Sequence, residues 1–268
     1  MFLHPLTGSS LRFGNFCWCH EGFHYPQPAP YICIISHARN IIDPFARNFK
    51  PLATCTSNIE AFFNWCVPRY LPASPCVGIK MEAQPTRERV LSDEELKRVW
   101  IAATRMGYPF GTIVQLLILT GQRRSEIGKL HRNYVKNDRI VLPAAFVKNG
   151  REHVFPLAPL AKSLIPVTGN SYLFRAAGLE VPYSGYAFHM PLLHTYSETS
   201  GWTPHDLRRT FATNLAAMGT PIHVTEKVLN HVSGSISGVA AIYNRHTYFE
   251  EMGAALVAWE ERLQGLLK

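Results

Sequence analysis

Arg123 stands two residues after Gly121 and three before Glu126, in the run Thr120-Gly-Gln-Arg-Arg-Ser-Glu126. A guanidinium is a planar, permanently charged fork suited to a phosphate. Glu126 at i+3 shares a helix face with Arg123 and can orient that fork. The first amides of the same helix can face the same anion. His205-Asp-Leu-Arg208 repeats the spacing, with an imidazole and a guanidinium side by side. That pairing suits a reaction in which one group moves a proton and the other holds negative charge. Lys148 lies beside Asn149-Gly150, where a hairpin tip can extend a lysine into a cleft as a proton donor or phosphate contact. Asn230-His231 precedes Tyr243, whose phenol (pKa ~10) attacks only if positioned and deprotonated. Each of these alone also fits a blander role: a solvated helix start, a turn lysine, a capping histidine or a buried aromatic.

The elements that must position these residues are legible from residue 90 onward. Ser92-Asp-Glu-Glu95 is a capping box, and Leu96, Val99, Trp100 and Ala103 continue that helix on one face. A second helix is predicted over about 110–120, broken by Gly121, and a third over about 123–131. Arg139 to Leu142 reads as a strand. Phe146-Val147-Lys148 and His153-Val154-Phe155 flank Asn149-Gly150, which predicts a hairpin with a type I′ turn. Thr203 at the N-cap and Pro204 at the first position start a helix that runs to Met218 and stops at Gly219. Two short helices lead to a longer one over about 248–266, with Leu256, Trp259, Leu263 and Leu266 on a common face. The predicted fold class is mainly α with a small antiparallel β-sheet.

The earlier part of the chain reads differently. Residues 1–57 carry Tyr25-Pro-Gln-Pro-Ala-Pro30 and no sustained helical period, so they are left unassigned and expected to be poorly ordered. Ile59, Phe62, Phe63 and Cys66 predict an amphipathic helix over 58–66, ending at Pro68. Residues 80–91 read as a linker.

With 268 residues and 47% apolar content, wholesale disorder is excluded. A surplus of 27 Lys and Arg over 19 Asp and Glu gives a charge of +8 and favours a polyanionic partner. All six cysteines fall at or before Cys76. With no export signal, reduced thiols in a cytoplasmic protein are expected. The longest strongly apolar stretch, Ile113 to Leu119, contains Gln115 and is far short of the ~20 residues that span a bilayer. No membrane association is expected.

The ordered set of these residues resembles the tyrosine recombinases, the phage integrase family, and is most similar to integrases of prophages and genomic islands. The residues that carry the resemblance are Thr120 to Glu126, Lys148, His205-Asp-Leu-Arg-Arg-Thr-Phe-Ala-Thr213, Leu229-Asn-His231 and Tyr243, within a span from Val90 to Leu263. The resemblance implies a tyrosine recombinase catalytic-domain fold over 92–268. It implies that Tyr243 attacks a DNA phosphodiester to form a 3′-phosphotyrosyl bond with release of a 5′-hydroxyl. Arg123 and Arg208 would clamp the non-bridging oxygens, Lys148 would protonate the leaving oxygen, and His205 would act as base. His231 would hydrogen-bond the phosphoryl oxygen, and Glu126 would support the site. Phosphoryl transfer depends mainly on positioning and charge stabilisation, which two arginines and a lysine can supply. No Asp-x-Asp pair stands ready for Mg²⁺, so neither metal nor cofactor is expected. The implied partner is double-stranded DNA carrying attachment sites, with a homotetramer exchanging two duplexes and the helix over 248–266 as a docking element.

Two departures from the family set further expectations. The interval from His231 to Tyr243 is long and holds Ser233-Gly-Ser-Ile-Ser-Gly238, which makes Tyr248 a second candidate nucleophile. At the other end, only residues 58–79, with Ala61-Phe-Phe-Asn-Trp65 and Pro72-Ala-Ser-Pro75, resemble the last part of a core-binding, SAM-like domain. An N-terminally truncated or rearranged integrase with a defective DNA clamp is therefore expected. Competing readings are a catalytically impaired DNA-binding remnant, a type IB topoisomerase-like enzyme, and a zinc metalloprotease. The last rests on His20-Glu21-Gly22-Phe23-His24, whose helix Gly22 and Pro26 disfavour.

Overall fold

The computed structural model describes residues 52–67, 69–78, 87–167, 171–176, 178–231 and 246–268. A boundary between Thr86 and Arg87 separates two compact units. In the first unit, helix α1 spans Leu52–Cys66. It starts six residues earlier than its apolar period predicts. Cys66 is buried, whereas Phe62 and Trp65 are exposed. Arg69 stacks its guanidinium over Trp65.

The second unit is built around one helix. Helix α2 (Asp93–Met106) begins at the predicted capping box: Ser92 Oγ accepts from the Glu95 amide and Glu95 Oε2 accepts from the Ser92 amide. Helix α3 (Phe110–Thr120) is predominantly apolar and buried at every position but Thr112, as a helix with no polar face must be. Gly111 permits its contact with α2, since a Cβ there would fall 1.9 Å from the Ala103 carbonyl oxygen. Helix α4 (Arg124–Gly128) is shorter than the predicted 123–131. Residues 130–132 leave the helix because they pair with another segment: Leu173 N–H donates to Leu130 O, and Arg132 N–H donates to Ser171 O. A 3₁₀ turn over Arg132–Tyr134 follows.

Strands β1 (Val135–Lys136), β2 (Arg139–Leu142) and β3 (His153–Pro156) form one antiparallel sheet in that order. Strand β2 has the predicted boundaries. The predicted two-residue hairpin at Asn149-Gly150 does not form. Leu142 pairs with His153, so residues 143–152 make a longer connection. Pro143 lacks a ladder donor, a 3₁₀ turn takes Ala144–Phe146, and Val147 is drawn into the core. A type I′ turn needs positive φ at both central residues, and only Gly150 has it.

Helix α5 (Pro159–Ser163) is capped from a distance: Glu260 Oε1 accepts from the Ala161 amide and Oε2 from the Leu160 amide. Helix α6 (Tyr186–Ser197) is not predicted, because it holds Pro191 and no one-sided apolar period. Helix α7 (Pro204–Ala217) matches the prediction within one residue. Helix α8 (Ile222–Val228) is the first of the two predicted short helices, and the second falls outside the described residues. Helix α9 (Phe249–Leu267) packs on β3, α8, α2, α3 and α7. Leu256, Trp259 and Leu263 are buried as predicted, and Leu266 is only partly buried. Trp259 seals the centre by donating to Ile118 O and meeting Phe211 edge-on. None of the described helices is long and apolar enough to cross a membrane.

Candidate active site

Three chain junctions meet at the site. The first is the end of α3, where Gly121 adopts φ +62° and its amide closes on Leu117 O. Gly121 must be glycine here for a second reason: a Cβ would fall 2.4 Å from Phe211 Cδ1. The left-handed turn delivers Arg123 to the N-cap of α4. Glu126, almost fully buried, grips that residue twice. Its Oε1 accepts from Arg123 Nη1 at 2.7 Å and its Oε2 from the Arg123 amide at 3.0 Å. Glu126 therefore orients the fork as expected. The amide held by Glu126 is that of the N-cap residue, one position before the first amide of α4.

The second junction is the start of α7. Asp206 accepts from the Thr203 amide at 2.8 Å and from Thr203 Oγ1 at 2.9 Å, and Arg209 donates to its other oxygen. With the cap locked, His205 faces outward and Arg208 inward. Arg208 is 3% exposed. Its Nη1 donates to Gly121 O at 3.0 Å and its Nη2 to Leu229 O, while its buried Nε has no hydrogen-bond partner among the described residues. Among those residues no carboxylate pairs with it. Burial, and then the Arg123 charge, lower its pKa to about 10, so it stays cationic at neutral pH. A buried cation whose hydrogen bonds go to carbonyl oxygens, with the Glu126 charge acting on it without a direct ion pair, is costly. The same arrangement leaves its charge available to an incoming anion.

The third junction is the end of α8. Asn230 takes the left-handed conformation, φ +50°, and the His231 amide closes on Glu226 O. His205 and His231 both have lowered pKa values. Desolvation leads in each case; Arg209, Arg208 and Arg123 add to it at His205, and Arg208, Arg123 and His205 at His231. Arg123, Arg208, His205 and His231 thus lie within Coulombic reach of one another. Both histidines favour the neutral form, in which an imidazole can accept a proton.

Lys148 lies exposed on the 143–152 connection. Its neighbour Asn149 donates to Asn230 O at 3.1 Å and to Asn230 Oδ1 at 2.9 Å, which brings the lysine's loop to the His231 end of α8. Tyr243 lies outside the described residues, as do His20, Glu21 and His24. Tyr248 packs its ring against His223 and His246 at the start of α9.

Sequence reasoning missed a buried polar layer beneath the arginines. His153 on β3 contacts Gln122 Oε1 at 3.2 Å, and Gln122 Nε2 donates to Val228 O and Thr120 O. Burial, followed by the Arg208 charge, lowers the His153 pKa to about 4. The only available signal was the strand alternation that puts His153 on the same inward side as Phe155.

The same stretch of chain, from Arg89 to Glu250, matches the phage integrase family. The chain belongs to that family. Two relatives are similar to this chain. Prophage integrase IntZ of Escherichia coli (strain K12) is 30% identical over 165 residues, 58% of this chain and 40% of that protein. Tyrosine recombinase XerC of Staphylococcus haemolyticus (strain JCSC1435) is 24% identical over 226 residues, 75% of this chain and 74% of that protein. The chain thus spans less than half the length of the prophage relative. Among solved structures, a lambda integrase (75-356) dimer bound to a COC' core site has a TM-score of 0.56 at 16% identity, covering 80% of this chain and 83% of that one. A lambda integrase tetramer bound to a Holliday junction has a TM-score of 0.55 at 17% identity, covering 80% of this chain and 67% of that one. The integrase fold is therefore shared at low identity.

Proposed function

We propose that this integrase-family chain is a site-specific DNA recombinase that breaks and rejoins strands through a 3′-phosphotyrosyl intermediate. The observation that carries the reading is Arg208: a buried cation whose hydrogen bonds, among the described residues, go to carbonyl oxygens, within Coulombic reach of Arg123, His205 and His231. In this reading the Tyr243 phenolic oxygen forms a bond to phosphorus as the bond from phosphorus to the 5′-oxygen breaks. His205 takes the phenolic proton, and Lys148 gives a proton to the departing 5′-oxygen. Arg123 and Arg208 hold the non-bridging oxygens, where negative charge concentrates, and His231 donates a hydrogen bond to one of them. Rejoining runs the same steps in reverse with a different 5′-hydroxyl. The phosphodiester is conserved as the tyrosine ester, so no nucleotide hydrolysis is needed.

The substrate in this reading is double-stranded DNA with attachment sites, met in the cytoplasm. Two duplexes exchanged strand by strand call for four protomers, and α9 is the element assigned to docking between them. Residues 92–268 are assigned to catalysis and 58–79 to the tail of a core-binding domain. Support comes from the family and from the DNA-bound lambda integrase structures that share the fold.

The test is covalent capture. A pool of nicked duplexes with a randomised centre loses its short 5′-fragment on cleavage, which traps the enzyme on DNA. The expected result is a denaturation-resistant adduct that disappears in Tyr243→Phe. Absence of any adduct, or an adduct that persists in Tyr243→Phe, overturns the assignment.

A further inference from the structure

Lys148 has a long, flexible stem, and a general acid must come within about 3.2 Å of the oxygen it protonates. Its own loop gives little rigidity: Lys148 and Gly150 are exposed, and the turn closes on itself through Gly150 N–H to Val147 O. The tie to the rest of the molecule runs through the next side chain. Asn149 Nδ2 donates to Asn230 Oδ1 at 2.9 Å and to Asn230 O at 3.1 Å. Asn230 Nδ2 returns a 3.4 Å bond to Asn149 Oδ1, and that oxygen also accepts from the Arg151 amide at 3.2 Å. The two amides are thus matched at both ends, across 81 positions of sequence, with Lys148 next to one and His231 next to the other.

We propose that Asn149 and Asn230 are positioning residues that latch the Lys148 loop to the His231 end of α8. The latch keeps the leaving-group acid and the phosphoryl-oxygen donor at one spacing. Asn230 serves both halves of the device. Asn tolerates the left-handed conformation that the end of α8 requires, and unlike glycine it carries an amide to receive Asn149. This inference rests on the recombinase reading, because it assigns the latch to the proton step of that reaction.

The experiment changes the leaving atom. A duplex captured from the randomised pool is made twice, once with the normal 5′-oxygen at the cleavage point and once with a bridging 5′-sulfur. A thiol of pKa about 8.5 leaves as thiolate and needs no proton. General-acid help is worth about 100- to 10,000-fold, so a loosened Lys148 forfeits part of that. Asn149→Ala and Asn230→Gly should each slow cleavage of the oxygen substrate about 10- to 100-fold, and the double variant should be no slower than the worse single one. On the sulfur substrate all three should match the unsubstituted chain. Glycine adopts φ > 0 freely, so Asn230→Gly leaves the backbone at that position unstrained. Equal slowing on both substrates, no slowing on either, or additive losses would overturn the latch.

A second measurement needs no DNA and keeps the two readings separable. Amide hydrogen exchange over residues 147–151 should accelerate in Asn230→Gly, and unchanged exchange refutes the latch itself. If the unsubstituted chain captures no duplex while exchange does accelerate, the recombinase reading and the proton role assigned to the latch fall, and the loop tether stands.

Discussion

Arg208 donates through Nη1 to the carbonyl oxygen of Gly121, 3.0 Å away and 87 positions earlier in the chain. This bond ties the α3 terminus to the guanidinium that the proposed reaction uses to hold a phosphate. The glycine keeps its left-handed turn, the carbonyl points at the guanidinium, and Phe211 fills the space where a Cβ would sit. Gly121→Ala should therefore cost about 2–3 kcal/mol, combining backbone strain with displacement of a packed ring. It should also displace Arg208. Urea unfolding checks the first effect and covalent capture the second. A substituted protein as stable and as active as the original would show that the junction is not constrained.

Glu126 holds Arg123 by main chain and side chain together. Removing the carboxylate in Glu126→Ala frees the fork and strands an amide donor, at a cost of about 1–3 kcal/mol. Glu126→Gln keeps an acceptor for the amide but loses the charge. We expect Gln to retain most of the stability and to slow adduct formation about tenfold, equivalent to ~1.4 kcal/mol of lost positioning. A fully active Glu126→Ala would remove Glu126 from the site.

The acid limb of cleavage should report His205. Desolvation lowers its pKa, and Arg209 is the largest single charge adding to that, so the neutral base persists below the ordinary value of 6.5. Rate should fall only as pH drops below 6.5. Arg209→Gln removes the leading charge, raises the His205 pKa and moves the limb upward in pH. A limb that moves downward, or not at all, contradicts His205 as the base.

His153 sets a stability window. Its pKa is about 4 when folded, against 6.5 for an ordinary histidine. Between those values the unfolded chain binds the proton and the folded chain does not. The stabilisation is therefore complete above pH 6.5 and lost as pH falls toward 4. The loss is about 3 kcal/mol across that interval. Urea midpoints measured at pH 7.5 and pH 5 should separate in the unsubstituted chain and converge in His153→Gln. Equal separation in both would assign the acid sensitivity to other groups.

Elements governed by local rules were legible without coordinates. The Ser92–Glu95 box, the strongly apolar α3, strand Arg139–Leu142 and the Thr203-Pro204 start are each specified within a few residues, and each forms where expected. Elements governed by distant partners were not. The helix after Arg123 is cut short by pairing with residues 171–173, and the Asn149-Gly150 turn is overridden by Pro143 and by burial of Val147. Helix α6 forms around Pro191 because packing against α2 outweighs a missing donor.

The candidate site divides in the same way. Residue types and i, i+3 spacing put forward Arg123, Glu126, His205 and Arg208 as candidates, because the helix repeat determines neighbours on one face, and the resemblance of the ordered set to the integrases selected them. Only the folded chain decided that Arg208 rests on Gly121 and Leu229, that Asn149 reaches Asn230, and that His153 lies under the arginines. Those contacts join segments far apart in sequence. Their geometry follows from how α3, α7, α8 and the sheet pack together, and no local spacing encodes it.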